Sequence, residues 1–104
     1  MRLMAPTAES LMRSRYSAHV FGLQDYLQDT WHTRTRPLSV PPPPQGLWWM
    51  GLEVRHHAVI DDDHATVEFV ARSKIGGRAE RMHVTSRFER VEGRWLYVED
   101  DAAA

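Results

Sequence analysis

Six residues have side chains that can share one interior and do chemistry there: Arg15, His19, Trp31, His56, Ser86 and Tyr97. The helical spacing of the N-terminal third projects Arg15 and His19 from the middle of an otherwise apolar arc, and strand alternation turns His56, Ser86 and Tyr97 toward the same side. A guanidinium among apolar groups is costly unless it is hydrogen-bonded, so Arg15 demands a partner. Two kinds of partner stay open. One is an anionic or carbonyl-bearing ligand, with Tyr97, His56 and Ser86 as further polar contacts and Trp31 nearby. The other is the protein itself, through backbone carbonyls or a carboxylate such as Glu99, which the expected strand register sets opposite Ser86. A histidine in such a pocket can act as a general base, but the sequence does not fix its geometry.

A second group falls on the opposite side of the same strands. The register puts His57 beside Glu68, with His83 and Arg87 on the diagonal, within cross-strand reach. Two histidines and a carboxylate can ligate a divalent metal, but opposed charges on a solvated face are the commoner arrangement, so no metal or other cofactor is expected. Trp48, Trp49, Trp95 and Tyr97 can stack a planar ligand, although core and edge packing accounts for them more simply. Arg90 opposite Trp95 suits a cation–π pair. Asp61 to His64 lacks the spacing and glycine of a calcium loop and reads as a polar turn. No nucleophile elbow, phosphate loop, dinucleotide fingerprint or metalloprotease helix is present.

The elements that must position these residues are legible from pattern. Thr7 can cap a helix over about 8–21, with Glu9 in its first turn and Gly22 to close it. Leu23, Tyr26, Leu27, Thr30 and Trp31 repeat at helical spacing and predict a second helix over about 23–32. Residues 33–46, with prolines at 41 to 44, form an extended connector that could bind a proline-recognition module but is more simply stiff chain. From 47 to 100 the sequence reads as four strands: 47–60, 65–75, 78–91 and 94–100. Gly76-Gly77 and Glu92-Gly93 suit two-residue hairpin turns, and Asp61 to His64 a four-residue loop. The predicted inner face holds Trp48, Met50, Leu52, Val54, Ala58, Val67, Phe69, Ala71, Met82, Val84, Phe88, Trp95 and Tyr97. Such a sheet must be covered, and the two helices are the only amphipathic elements available. The expected fold is therefore α+β: two N-terminal helices on a curved four-stranded antiparallel meander, one domain over 1–104.

Length and charge bound the rest. At 104 residues and 42% hydrophobic content the chain suits one core. With 13 basic and 14 acidic residues, a formal net charge of −1 and no long charge block, it lacks the basic surplus of a dedicated nucleic-acid binder. The absence of cysteine excludes disulfides, thiolate catalysis and Cys-ligated zinc within these residues. Nothing approaches the roughly 20 apolar residues of a membrane span or the apolar run of a signal peptide, so a cytoplasmic protein without nucleic-acid or membrane partners is expected.

Ordered stretches of the sequence also resemble a known family. They are Ala5-Pro6-Thr7-Ala8-Glu9, Leu11 through Ala18, Tyr26-Leu27, Thr30-Trp31-His32, Gly51-Leu52-Glu53, Thr66 through Phe69, Ser86-Arg87-Phe88 and Gly93 through Val98. Together they resemble the YchJ-like bacterial proteins, from about Ala5 to Glu99. The resemblance implies a cystatin-like cone of the nuclear transport factor 2 type, a curved sheet wrapped around helices that often leaves a pocket. It also implies a cysteine-rich zinc motif of the SecA C-terminal type ahead of this segment, which these residues do not contain. Where family members commonly carry a glutamate two residues before the serine, this chain has Val84.

The reading that follows is a non-enzymatic binding or protein-interaction module with a small-ligand pocket in the cone. Two alternatives stand beside it: an isomerase- or hydrolase-like enzyme using the same pocket, and a dimerisation module. The last is compatible with Val70, Leu96 and Val98 on the outer sheet face. An open pocket reaching Arg15 and at least two other polar groups would favour a ligand, whereas a filled cone would favour interaction.

Overall fold

Thr7 starts the chain's first helix by reciprocal bonding with Ser10. The Thr7 Oγ1 accepts from the Ser10 N–H at 3.1 Å while Thr7 N–H donates to Ser10 Oγ at 3.1 Å, so two otherwise unpaired donors are satisfied at once. In a computed structural model that describes residues 5–101, this helix, α1, runs Ala8–Phe21 and ends on Gly22 in the left-handed conformation, φ 67°. It buries Ala8, Leu11, Met12, Arg15 and Ala18.

The second helix, α2, is Gln24–Asp29, shorter than its apolar spacing suggests. Thr30 turns its hydroxyl back onto the Tyr26 carbonyl at 2.7 Å, and the next residues leave the helix to pair with the sheet. Trp31 bridges in parallel to Tyr97, flanked by Tyr97 N–H donating to Thr30 O and His32 N–H donating to Tyr97 O. Residues 30–32 thus cover the edge of the last strand, where unpaired backbone groups would otherwise face water.

Four strands follow: β1 Leu47–Asp61, β2 His64–Ile75, β3 Arg78–Val91 and β4 Arg94–Asp101, antiparallel in the order β1-β2-β3-β4. Gly76 and Gly77 both adopt positive φ, as do Glu92 and Gly93, which is what a type I′ hairpin requires to match strand twist. The first connection is shorter than expected. Asp61 pairs with His64, and Asp63 N–H donates to Asp61 Oδ1 at 2.8 Å, leaving a two-residue turn.

β2 and β3 pair without irregularity from His64↔Glu89 to Ile75↔Arg78. β1 does not: its register to β2 shifts at Trp49/Gly51, Val54/His56 and Val59/Asp61. Each bulge adds a residue and turns the following side chains over. Trp49, not Trp48, therefore packs on the core with Leu52 and Val54, while Trp48 and Met50 lie exposed. Beyond the second shift His57, not His56, shares the helix side with Val67, which places Ala58 on the outer side. A further shift between β3 and β4 leaves Val98 unpaired and brings Asp100, not Glu99, opposite Ser86.

The core is Ala8, Leu11 and Met12 of α1 against Ala65, Val67, Phe69, Ala71, Phe88 and Trp95 of the sheet. Val70, Leu96 and Val98 on the outer side are also buried within the single chain. They do not supply the exposed apolar patch that a dimerisation face was expected to use.

Candidate functional site

Between α1 and the concave side of the sheet lies an open cavity of about 340 Å³. Its inner wall is apolar: Met12, Phe69, Ala71 and Phe88. Aromatic rings close the sides, with Tyr16 edge-on to Trp49 at 5.6 Å and Trp31 edge-on to Tyr97 at 5.1 Å. His19, Met82 and Asp100 stand at the more exposed rim.

Arg15 lines this cavity while only 6% exposed. Its Nη1 donates to Leu27 O at 2.8 Å and to Thr30 Oγ1 at 2.7 Å, tying α1 to the end of α2. The guanidinium lies over two rings, 4.5 Å from the Tyr97 centroid and 5.2 Å from that of Trp31. Of the two expected kinds of partner, the one observed is the protein itself: Arg15 is bonded through Nη1 to a backbone carbonyl and a hydroxyl, while Nε and Nη2 donate to no described residue. Burial lowers its pKa to about 10, with Tyr97, Tyr26 and Asp100 opposing the shift, so the cation persists at neutral pH.

Opposite it, Asp100 Oδ1 accepts from Ser86 Oγ at 2.6 Å and from the Tyr97 hydroxyl at 2.9 Å. Burial, then the Asp100 charge and the bond to it, hold the Tyr97 phenol above its ordinary pKa, so it remains a donor. The His19 imidazole, 6.0 Å from the Trp49 ring, has its pKa lowered by partial burial and by the Arg15 charge. At neutral pH the polar end of the cavity therefore holds one cation, one carboxylate and a neutral imidazole. The carboxylate belongs to β4, the guanidinium to α1.

Of the six residues singled out from sequence, Arg15, His19, Trp31, Ser86 and Tyr97 meet at this cavity. His56 does not: it is exposed and pairs opposite Glu68 on the far side of the sheet, because the bulge before it reverses its direction. Asp100, Trp49 and Tyr16 complete the site; of these the sequence offers only Trp49, as one of four aromatic residues able to stack a planar ligand. Asp100 and Trp49 are brought there by the register shifts of β4 and β1, which local pattern does not show.

The outer-face metal group is dispersed by the same shift. His83 Nε2 and Glu68 Oε2 do bond at 2.6 Å. His57 faces the helix instead, its Nδ1 3.8 Å from Glu9 Oε1. No group of three metal-ligating side chains forms among the described residues. Arg90 does stack near Trp95, 5.7 Å from the ring, and its Nε also donates to Asp63.

Two helices laid across an antiparallel meander, with a cavity between them, define an NTF2-like domain. The chain belongs to the YchJ-like family: residues 7–100 match the YchJ middle NTF2-like domain. It is 57% identical over 99 residues to a UPF0225 protein of Methylibium petroleiphilum, covering 95% of this chain and 73% of that one. A UPF0225 protein of Bordetella pertussis is 54% identical over 99 residues, covering 95% and 74%. Two solved structures share the fold. A SEC-C motif containing protein from Rhodopseudomonas palustris superposes with a TM-score of 0.85 at 29% identity, over 98% of this chain and 83% of that one. Another from Psychrobacter arcticus gives 0.77 at 26% identity, over 100% and 66%. The outline expected of the fold is therefore correct, corrected within β1 and β4 by their bulges.

Proposed function

We propose that this domain is a ligand-binding module whose cone takes a small organic molecule with an apolar, planar body and a polar head. One observation carries the reading: the cavity is open rather than filled, and the Arg15 that lines it has donors without a described partner. The aromatic walls suit a flat body. Because Arg15 and Asp100 offset one another, the polar end favours a head that brings both an acceptor and a donor over a bare anion. SEC-C segments named in the solved relatives fit a division of labour in which this domain supplies the pocket and the other segment an attachment.

Ala71→Leu tests the reading without touching the polar groups, since Ala71 is buried in the cavity wall. A set of neutral and anionic aromatic fragments, screened by thermal shift, is expected to give hits that raise the melting temperature of the wild type. Filling the cavity should abolish those shifts while the variant stays folded. Absence of hits, or hits unchanged in Ala71→Leu, would contradict the cone as the binding place.

An acid–base enzyme is the second reading, favoured by one feature: a neutral His19 and the Asp100 carboxylate share the rim of one cavity. Chemical change of a bound fragment, lost in His19→Phe with binding retained, would decide for it.

A further inference from the structure

Charges on the outer side of the sheet fall into two groups. Toward the β4 side they are paired: Arg87 with Glu99 and Asp101, His83 with Glu68, Arg34 and His32 with Glu89. On β1, Arg55 pairs with Glu53. Toward the β2–β3 hairpin the pattern changes. Arg72, Lys74 and Arg81 form no ion pair among the described residues, and the register sets Arg72 directly opposite Arg81. Like charges facing each other across a strand pair are unfavourable. Nothing in the fold asks for them there.

The same corner exposes apolar side chains. The β1 register places Trp48 beside Lys74, and the first β1 bulge puts Met50 next to Gly51, the partner of Arg72. Trp48 is 71% and Met50 61% exposed. At this corner is a depression of about 260 Å³ lined by Met50, Arg72, Ser73, Lys74, Ala79, Glu80 and Arg81. Three cations against one carboxylate, with Trp48 paired beside Lys74, make a corner complementary to negative charge with an apolar anchor. It lies on the other side of the sheet from the cone.

We infer that this corner docks an acidic segment of a partner protein, its carboxylates on Arg72, Arg81 and Lys74 and an apolar side chain against Trp48 and Met50. A nucleic acid fits less well. With a net charge of −1 for the whole chain, everything beyond the patch is net acidic and repels a polyanion that runs past it. A short acidic segment meets the patch alone. The inference does not depend on the cone binding anything.

The test uses fluorescence anisotropy with three labelled probes of similar length: a peptide of Glu-Glu-Leu repeats, a Gln-Gln-Leu control and an oligothymidylate. Saturable binding of the acidic peptide is expected, weakened about tenfold by Arg72→Gln with Arg81→Gln and several-fold by Trp48→Ala. Binding should also fall as salt rises from about 50 to about 200 mM. All three positions are exposed, so an unchanged melting temperature shows that the variants fold. No binding of the acidic peptide, equal binding of the glutamine control, or indifference to the double substitution would overturn the inference. Tighter binding of the oligothymidylate would overturn it in favour of a nucleic-acid surface.

Discussion

The two sides of one sheet, built from alternate residues of the same strands, treat polar groups in opposite ways. On the concave side they are few and tied together: Arg15 to Leu27 and Thr30, and Asp100 to Ser86 and Tyr97. On the convex side they are many and solvated and, outside the corner of Arg72, Lys74 and Arg81, paired locally, as in Arg87 with Glu99 at 48% and 46% side-chain exposure. Burial makes the Arg15 bonds difficult to replace, because their loss strands a partner away from water. Solvent makes each convex pair nearly dispensable. The proposed ligand site thus lies where geometry is fixed by buried bonds, and the proposed docking corner where charge unpaired among the described residues stands beside the exposed Trp48 and Met50.

The comparison breaks most sharply at neighbouring positions. Phe88, 1% exposed in the cone wall, should cost about 3–5 kcal/mol on truncation to Ala. Its neighbour Arg87 should cost at most about 1 kcal/mol on the same change, so chemical denaturation of the two variants would dissolve the distinction if they matched. Arg15→Met comes next. It leaves the Leu27 carbonyl without that donor, for a loss of about 1–3 kcal/mol, which differs from an arginine serving a ligand alone, whose removal would leave stability unchanged.

Smaller effects sharpen the picture. Tyr97→Phe removes one bond to Asp100 and should cost about 1 kcal/mol, read from a urea midpoint at constant m. Smallest is a pH effect at the rim. Because the folded His19 pKa lies below its ordinary value, its contribution is fully present above about 6.5 and is lost as pH falls through the folded pKa. His64 has the opposite sign: Asp61 raises its pKa, so its contribution holds below about 6.5 and fades as pH rises. His19→Asn should flatten the acid side of a melting temperature profile, and His64→Asn the neutral side. Identical profiles for the two variants would contradict the opposite signs.

The sequence makes regular segments legible and irregular ones not. β2 and β3 alternate without interruption between a type I′ turn and their ends, so Phe69, Ala71, Met82 and Val84 could be assigned to the concave side from spacing alone. In β1 three register shifts reverse that alternation, and no residue in Trp48-Trp49-Met50-Gly51 or Val54-Arg55-His56-His57 announces which member is extra. The same ignorance exchanged His56 for His57 and Glu99 for Asp100. α1 was readable through its Thr7 cap and Gly22 close. The end of α2 is not legible, because Thr30 and Trp31 keep helical spacing while the Thr30 carbonyl and the His32 N–H bond to Tyr97 of β4, tertiary bonds that local pattern does not contain. Arg15 was visible as a cation on an apolar arc, whereas its partner carbonyl on Leu27 was not.

The central claim is that the concave cavity is a place where a molecule binds. The chain has four tryptophans, whose indole N–H signals separate in a proton–nitrogen spectrum and can be assigned by single Trp→Phe changes. On titration with a fragment that raises the melting temperature, the Trp49 and Trp31 signals should move together and saturate while Trp48 stays still. Movement of Trp48 alone, with Trp49 and Trp31 unmoved, would place binding on the convex side and contradict the account.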